Sequence, residues 1–401
     1  MTGPRIAYLT GEYPRATDTF IQREVAGLRA LGLEVLTCSV RRTGREHHVG
    51  PEQREEAART FHLLEATSNP LRLAAAHGQA LFRAPGRYLR ALALAWRTAP
   101  AGWRGHLYNL IYFAEAAVLA RHLRSEGVGH LHNHIAKSSC TVAMLASEMS
   151  GIPFSFTLHG PDIFYEPFHW RLDEKIARAR FVACISHFCR SQAMAFSDRR
   201  HWGKLHIVHC AVDPARYRKG AREGARALFV GRLAAVKGVP VLLEAMAALG
   251  EEAPRLTLIG DGPERAALEA DAQRLGLSGR VTFAGYRSQD EVAEALAATD
   301  LFILPSFAEG LPVVLMEALA AECCAIATRI AGIPELIEDG VTGRLVAPGD
   351  AEGLAAAIRE ALADSEGRAA MGRAGRARVE DSFNIAREPA RLAALIEERA
   401  P

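Results

Sequence analysis

Short apolar runs alternate with amphipathic segments from the first residues of the chain onwards. Residues 5–10 (RIAYLT) and 33–40 (LEVLTCSV) are apolar enough to predict two buried strands. The segment between them, 19–32 (TFIQREVAGLRALG), has helical spacing, and Thr19 with Gln22 is predicted to form a capping box at its start. A strand–helix–strand order favours parallel strands with helices on the faces of the sheet.

This alternation recurs in two series, which are separated by a turn-rich, charged segment at 210–226. The strands predicted after the first two lie at 128–136, 153–160, 181–187, 227–233, 255–262, 280–286, 301–306, 324–328 and 343–348. Residues 41–105, rich in Arg, Ala and His, are predicted to form helices and loops. We therefore predict an α/β chain of two doubly wound domains, 1–212 and 213–384. The functional site is expected at the carboxyl ends of the strands, in a cleft between two facing sheets.

Composition narrows the class of protein without pointing to a particular partner. The 401 residues are 49% hydrophobic and 23% charged, with a net charge of +2, as in an ordinary globular protein. Seven scattered cysteines without CxxC spacing predict reduced thiols rather than a disulfide framework or a zinc site. The amino terminus has only a short apolar run, and no stretch of about 18 apolar residues occurs. We therefore expect a cytoplasmic protein without a signal peptide or a membrane-spanning segment.

Two acids stand inside an otherwise apolar stretch, EGLPVVLMEALA, at Glu309 and Glu317. A predicted strand at 301–306 precedes them, and Pro312 suits the first position of the helix that follows. Backbone N–H groups among residues 310–313, of which Pro312 has none, could then bind a phosphate, flanked by carboxylates that accept hydrogen bonds from sugar hydroxyls. The alternative from the residues alone is a helix cap at Glu309 and a surface position at Glu317.

Two cations follow an earlier strand of the same half, in VGRLAAVKG. Arg232 lies just past the strand and Lys237 five residues later, and such a pair at a strand end suits a diphosphate. Gly231 and Gly238 would let the backbone approach that ligand, and Gly260 in IGDGPE occupies a second turn of this kind. From the residues alone, an ordinary pair of solvated surface charges is the alternative.

Taken in order, these motifs are similar to those of one enzyme family. The motifs of the second half are GRL with KG, IGDGP, FAGY, PSFAEGLPVVLMEALA and AGIPELIEDGVTGRLV, and those of the first half are HLHNHIA, TLHGPD and ISHFCRSQ. Together they resemble a retaining glycosyltransferase of family 4, which has the GT-B fold. The loop TGEYPRATDTF has one glycine, Gly11, instead of the usual Gly-Gly pair. With Glu24 shortly after it, this loop resembles the exopolysaccharide and colanic-acid branch. A further departure is ECCA (322–325), where the family usually has a Gly-x-Pro turn.

The resemblance implies roles for individual residues. Arg232 and Lys237 would bind the diphosphate of a nucleotide sugar, and Glu317 would hold its ribose hydroxyls. Glu309 would contact the hydroxyls of the donor sugar, and His159 would lie across the cleft near the sugar and the leaving phosphate. Catalytic roles are thus expected for His159, Arg232, Lys237 and Glu309. The other expected donor-binding residues are Gly11, Gly231, Gly260, Tyr286 near the base, Gly310, Leu311 and Pro312.

Three histidines alternate in HLHNH, at His130, His132 and His134, so their side chains would share one face of a strand. A metal site is one interpretation of this cluster, but no fourth ligand is evident and the chain has no Asp-x-Asp motif. We predict instead that His132 and His134 line the acceptor side of the cleft. The reaction is expected to need no metal ion, because cationic side chains and a helix N-terminus would stabilise the leaving diphosphate.

The predicted function is transfer of a sugar, with retention, from a nucleotide sugar to an acceptor hydroxyl in polysaccharide or glycoconjugate biosynthesis. We expect a UDP- or GDP-linked donor, a sugar, lipid-linked or small-molecule acceptor, and neither a further cofactor nor nucleic acid. A nucleotide-sugar epimerase of the same fold and a non-catalytic nucleotide-sugar-binding scaffold are the alternatives. A nicotinamide dehydrogenase is disfavoured because no GxGxxG follows the first strand. The resemblance also implies that a C-terminal helix at 385–401 completes the first domain.

Residues 78–124 combine basic and aromatic character. They contain seven arginines and a single acid, Glu115, interleaved with Tyr88, Trp96, Trp103, Tyr108 and Tyr112. This composition is typical of a surface that binds anionic lipid, so a peripheral contact with the inner face of a membrane is one interpretation. The alternative is a solvated helical face with aromatic core contacts. No nucleic-acid recognition motif accompanies the charge.

Overall fold

The computed structural model describes residues 5–15, 18–44, 47, 50–221 and 226–398. Within the predicted segments, Ala16 and Thr17 of the loop at 10–20, residues 222–225 of the charged segment and residues 399–401 at the C-terminus lie outside this described part. The chain divides into two compact units, one of Met1–His209 with Ala386–Pro401 and one of Cys210–Ile385. Each is built on a parallel sheet with helices on its faces, which confirms the predicted fold class of two doubly wound α/β units.

The first unit contains a seven-stranded parallel sheet in the order β3-β2-β1-β4-β5-β6-β7. Its strands are β1 (Ile6–Glu12), β2 (Val35–Arg41), β3 (Phe61–His62), β4 (His130–His134), β5 (Phe154–Leu158), β6 (Val182–Cys184) and β7 (Leu205–Ile207). Its helices are α1 (Thr19–Ala30), α2 (Pro51–Arg59), α3 (Leu63–Thr67), α4 (Pro70–Arg83), α5 (Pro85–Arg97), α6 (Trp103–Ser125), α7 (Ser138–Ser150), α8 (Asp162–Tyr165), α9 (Leu172–Arg178), α10 (His187–Ala195) and α18 (Glu388–Glu397). The strand order reverses between β1 and β4, which is where ligands of such sheets bind.

Three local features of this unit differ from the predictions. The strands β3 and β7 were not predicted, because both are short and a histidine, His62 or His206, interrupts their apolar residues. The capping box at Thr19 and Gln22 does not form. Asp18 precedes the helix without a side-chain cap, and the Gln22 side chain donates instead to the backbone oxygen of Arg15 at 2.8 Å.

The C-terminal helix α18 belongs to the hydrophobic core of the first unit. Leu392 and Ile396 are fully buried or nearly so, in one cluster with Ile21 and Val25 of α1. At the start of the helix, a carboxylate oxygen of Glu388 accepts a hydrogen bond of 2.8 Å from the backbone N–H of His209. Apolar packing and a partly buried hydrogen bond therefore hold the returning segment in place.

The second unit contains a six-stranded parallel sheet in the order β10-β9-β8-β11-β12-β13. Its strands are β8 (Arg226–Val230), β9 (Arg255–Ile259), β10 (Val281–Gly285), β11 (Leu301–Leu304), β12 (Cys324–Thr328) and β13 (Arg344–Val346). Its helices are α11 (Val239–Leu249), α12 (Arg265–Arg274), α13 (Gln289–Ala297), α14 (Val313–Ala320), α15 (Ile333–Leu336), α16 (Ala351–Ala363) and α17 (Ser365–Ser382). The order reverses between the neighbouring strands β8 and β11.

Two further features bear on the sequence predictions. Glu322, the first residue of ECCA, has a φ of 56°, a left-handed conformation that glycine would adopt more readily. The seven cysteines are all buried thiols. No helix in the described ranges is both long and apolar enough to cross a membrane.

Candidate functional site

The donor-site residues predicted in the second unit gather at one edge of its sheet. Gly231, Arg232 and Lys237 follow β8, Gly260 follows β9, Tyr286 follows β10, and Glu309, Gly310, Leu311 and Pro312 follow β11. Because the carboxyl ends of parallel strands meet at the same edge, these loops are neighbours. The strand order reverses between β8 and β11, the two strands whose loops carry the two cations and the first acid.

Glycine is required where these loops approach one another. Gly260 has a φ of 128°, and a Cβ added there would collide with the backbone oxygen of Gly231. Gly238 has a φ of 63°, and a Cβ there would collide with the backbone oxygen of Pro305. Any side chain would push the loops apart, so these two glycines keep the loops after β8, β9 and β11 packed together.

A partly buried ion pair joins the loop after β8 to the loop after β11. Lys237 Nζ donates to Glu309 Oε1 at 2.6 Å, and the Ser306 hydroxyl donates to the same oxygen at 2.7 Å. The Glu309 side chain is 9% exposed and the Lys237 side chain 22% exposed. An ammonium group carries three N–H donors, so Lys237 can keep this pair and still bind a phosphate oxygen. Arg232, in the same loop after β8, is exposed.

The helix-cap alternative for Glu309 does not hold. The helix α14 begins at Val313, Pro312 immediately precedes it, and no side chain caps it. The sequence predicted Pro312 as the first residue of this helix, whereas it lies one residue outside. Gly310 and Leu311 are buried, and the backbone N–H of Gly332 donates to the Gly310 oxygen at 3.0 Å. The loop that carries Glu309 is thus held by a backbone hydrogen bond from Gly332, and the Glu309 carboxylate is held by Lys237.

The second acid, Glu317, is buried rather than on the surface. It lies in α14 with 9% of its surface exposed, and its Oε1 accepts a hydrogen bond of 2.8 Å from the Tyr217 hydroxyl. Tyr217 is itself 1% exposed and stands 100 residues earlier in the chain. No sequence pattern pointed to this tyrosine. Ser306 was also missed, although its position three residues before Glu309 in PSFAEG was a usable signal.

In the first unit, a chain of hydrogen bonds links His159 to a carboxylate of α1. His159 follows β5, and its Nε2 lies 3.1 Å from Nδ1 of His134, which stands on β4. His134 Nε2 lies 2.9 Å from Glu24 Oε1, and the Tyr8 hydroxyl donates to the same oxygen at 2.7 Å. Phe20 packs over both imidazoles, with ring centroids 4.8 Å from His159 and 6.3 Å from His134.

The other two histidines of HLHNH bind hydroxyls of the neighbouring strand. His132 pairs through Nδ1 with Ser155 at 2.8 Å and through Nε2 with Thr157 at 2.9 Å. His130 Nε2 pairs with the same Ser155 at 2.7 Å. Burial is the main cause that lowers the pKa of His130 to about 3 and holds the pKa of His132 well below its usual value. His130 and His132 are therefore neutral imidazoles that form hydrogen bonds with the hydroxyl groups of β5.

A metal site remains the alternative for part of this cluster. Ligand atoms of Glu24, His132 and His134 lie within 4.8 Å of one another. However, both ring nitrogens of His132 are engaged by serine and threonine hydroxyls, and both of His134 by Glu24 and His159. The donor set therefore fits a hydrogen-bonded network better than a cation, which would need these lone pairs.

The remaining residues predicted for the site differ in how much of their surface is exposed. His132 and His134 are 0% exposed, which places them beneath other side chains; direct contact with an acceptor stays a prediction, and their burial argues against it. Tyr286 is 71% exposed after β10. Gly11 lies within β1 near its carboxyl end, and a Cβ there would meet no atom of the described residues within 4 Å. Its predicted donor contact likewise stays a prediction.

Two family descriptions match this chain. The one described as "Glycosyltransferase Family 4" matches residues 18–216, and the one described as "Glycosyl transferases group 1" matches residues 218–378. Together they match most of the residues of both units.

Individual proteins show the same relationship. N-acetyl-alpha-D-glucosaminyl L-malate synthase of Bacillus anthracis is 32% identical over 288 residues, which are 67% of this chain and 74% of that protein. The amylovoran biosynthesis glycosyltransferase of Erwinia amylovora is 34% identical over 212 residues, covering 49% of this chain and only about half, 51%, of that protein. Among solved structures, Anabaena HepE in complex with UDP matches 98% of this chain and 100% of that one with a TM-score of 0.75 at 18% identity. At that identity the likeness shows a shared fold.

Proposed function

This chain belongs to glycosyltransferase family 4, and on that premise we propose how it works. It transfers a hexosyl group from a UDP- or GDP-linked sugar to an acceptor hydroxyl, with retention of configuration and without a metal ion. The acceptor is a sugar, a lipid-linked molecule or a small molecule of polysaccharide or glycoconjugate biosynthesis. The structural relative HepE was solved with UDP, which supports a uridine nucleotide as the first donor to test.

The observation that carries this proposal is the Lys237–Glu309 pair between β8 and β11. It places a cation and a carboxylate side by side at the edge where a nucleotide diphosphate binds such sheets. Lys237 and Arg232 are proposed to bind the diphosphate and to stabilise its charge as it leaves. Glu309 is proposed to face the sugar, and Glu317 to bind the ribose.

The proposed chemistry needs no covalent nucleophile. The glycosidic bond to phosphate breaks, and the acceptor oxygen attacks the same face of the sugar. The acceptor proton passes to an oxygen of the leaving diphosphate. In this scheme the protein supplies charge stabilisation and orientation, and His159 is proposed to contact the transferred sugar.

The test of this proposal is a donor screen that ends in product analysis. UDP-, GDP-, TDP- and ADP-sugars are first ranked by their effect on thermal unfolding, because a ligand at 100 times its Kd adds about 2.7 kcal/mol of stability. Transfer from the stabilising donor is then followed by NMR in the presence of EDTA. We expect a product of retained configuration at an undiminished rate. An inverted product, or activity that is lost with EDTA and restored by Mg²⁺ or Mn²⁺, would overturn the mechanism.

We also propose that the first unit binds an anionic membrane surface through α4, α5 and α6. Between Glu65 and Glu115 the chain has six arginines and no acid. Of the 18 large hydrophobic side chains that are exposed in the described part of the chain, ten lie on these three helices. Along α6, Trp103, Leu107 and Ile111 are 71%, 47% and 42% exposed, at the spacing of one helical face. Apolar anchors surrounded by guanidinium groups suit a lipid interface.

Part of the positive charge on these helices is already paired. Arg90 forms an ion pair with Glu148, and Arg97 forms one with Glu174. The exposed arginines of the three helices also include Arg72, Arg83, Arg87 and Arg104. Their attraction to anionic headgroups would add to the apolar insertion of Trp103 and Leu107 and would weaken with salt.

Vesicle sedimentation tests the membrane contact. The wild-type protein should bind vesicles of phosphatidylcholine with phosphatidylglycerol several-fold more than vesicles of phosphatidylcholine alone. Trp103→Ser combined with Leu107→Ser should remove most of that binding, because it removes two apolar anchors. Val341→Ser, a matched change at a side chain of the second unit that is 49% exposed, should leave binding unchanged. Equal binding by all three proteins, or none by the wild type, would contradict this proposal.

A further inference from the structure

The side chains of Glu24, His134 and His159 form a row of hydrogen bonds in which the donor and the acceptor of each bond are constrained. A carboxylate only accepts hydrogen bonds, so His134 must carry a proton on Nε2 to bind Glu24. Its other nitrogen, Nδ1, faces His159 Nε2 at 3.1 Å. One of these two nitrogens must donate and the other must accept. Glu24 therefore restricts which protons the pair of imidazoles can hold.

When His134 is neutral, Glu24 also determines which nitrogen of the His159 ring carries the proton. Nδ1 of His134 then has no proton and only accepts, so the proton between the rings belongs to Nε2 of His159. Burial holds the pKa of His159 well below its usual value, and the adjacent His134 lowers it further, so this ring stays neutral. A neutral imidazole with its proton on Nε2 has a lone pair on Nδ1, which can accept a hydrogen bond but cannot donate one.

We propose that Glu24 and His134 are positioning residues that hold His159 in this Nε2–H form, so that His159 accepts a hydrogen bond from a hydroxyl of the donor sugar. This inference rests on the proposed function, since it assumes that His159 meets the sugar. It assigns His159 a hydroxyl as its ligand rather than a phosphate oxygen, because a phosphate oxygen at neutral pH accepts and needs a donor. Glu24 and His134 act only through His159.

The surroundings favour this arrangement. The titratable or charged groups that face these three side chains include Tyr8 from β1, His132 from β4 and Glu388 from α18. Burial holds the pKa of Tyr8 well above its usual value, and the neighbouring Glu24 raises it further, so Tyr8 remains a hydrogen-bond donor to that carboxylate. The Tyr8 hydroxyl and His134 Nε2–H thus share one oxygen of Glu24 and fix its orientation.

A direct test measures the tautomers. In protein labelled with ¹⁵N-histidine, two-bond ¹H–¹⁵N correlations identify which ring nitrogen carries the proton. His134→Ala and His159→Ala variants assign the signals. We expect both rings in the Nε2–H form in the wild type. In Glu24→Gln the amide can donate to His134 instead, so His159 should shift towards the Nδ1–H form. A wild-type His159 with its proton on Nδ1 would overturn the proposal.

A double-mutant cycle tests whether the chain acts through His159. Glu24→Gln should lower kcat about 10- to 100-fold, a typical range for the loss of one oriented polar contact. In a His159→Ala background the same change should alter kcat less than threefold, because the residue it positions is gone. Glu115→Gln, at a carboxylate of the same unit that is only 5% exposed and takes no part in this network, is the matched control and should leave kcat within threefold of the wild type.

The outcomes separate the two proposals. Full activity of His159→Ala would remove His159 from the reaction and with it the assigned contact. An impaired His159→Ala together with a fully active Glu24→Gln would overturn the positioning chain alone. Equal losses from Glu24→Gln in both backgrounds would show a structural role and contradict the inference. Absence of sugar transfer by the wild type from every donor tested would be a failure of the proposed function itself, whereas the tautomer measurement does not depend on turnover.

Discussion

Arg232→Ala is expected to lower kcat/KM for sugar transfer by about 10³-fold, on the scale for losing one preorganised charge contact to a departing anion. The diphosphate gains charge as the bond to the sugar breaks, so a cation beside it binds the transition state more strongly than the donor. Arg232 is exposed, and its replacement should leave the thermal unfolding temperature within a few degrees of the wild type. The measurement is steady-state kinetics with the donor found by the screen.

Lys237→Ala should be at least as damaging to transfer, but it should also destabilise the fold. The Lys237 side chain pairs with Glu309 at 2.6 Å, and Glu309 is the more deeply buried partner. Removing the lysine leaves this carboxylate with the Ser306 hydroxyl but without its cation, at a cost of about 1–3 kcal/mol. A second change, Glu309→Gln, should restore much of the lost stability without restoring activity. Unfolding in urea measures the first effect and kinetics the second.

The control for both cations is Arg274→Ala, an exposed arginine at the end of α12 in the same unit. Its effect on transfer should be less than twofold. Turnover close to the wild type in both Arg232→Ala and Lys237→Ala would contradict the proposal that these two residues bind the donor diphosphate. If only Lys237→Ala is impaired, and in proportion to its loss of stability, then the Lys237–Glu309 pair is structural.

The two acids should respond differently to replacement by glutamine. Glu309→Gln is expected to lower kcat by about 10²-fold. Positive charge develops on the sugar ring as its bond to phosphate breaks, and the Glu309 carboxylate is worth more at that moment than in the bound donor. Glu317→Gln removes a contact to the ribose, which is present before and during the reaction. Its main effect should therefore be a higher KM.

Glutamine can keep the hydrogen bonds of both acids, so the two variants differ from the wild type mainly in charge. Glutamine at 317 keeps an oxygen that can accept from the Tyr217 hydroxyl, so the buried hydrogen bond survives. Glutamine at 309 keeps an oxygen for both Lys237 and Ser306 while removing the charge. Kinetics on the two variants under the same conditions decides the matter. If Glu309→Gln changes only KM, Glu309 is a binding group and its proposed role at the sugar ring is wrong.

The sequence by itself determined the two α/β units and the edge at which the donor residues meet. Buried parallel strands are continuous apolar runs, so local composition locates them, and a residue just after such a strand must lie at the carboxyl edge of the sheet. The positions of Arg232, Lys237, Glu309 and Pro312 at this edge therefore follow from the amino-acid sequence alone. The same local information failed for β3 and β7, where a histidine interrupts a short apolar run.

Only the tertiary structure decided which side chains bind one another. Lys237 pairs with Glu309 across 72 residues, Tyr217 with Glu317 across 100, and His134 with Glu24 across 110. Each pair forms because the order of strands in the sheet brings distant loops and helices together. A periodic pattern records which face of an element is buried, but not which element covers that face. The sequence likewise predicted that histidines of HLHNH line the acceptor side of the cleft, but it could not show that the fold buries them and places His134 between Glu24 and His159.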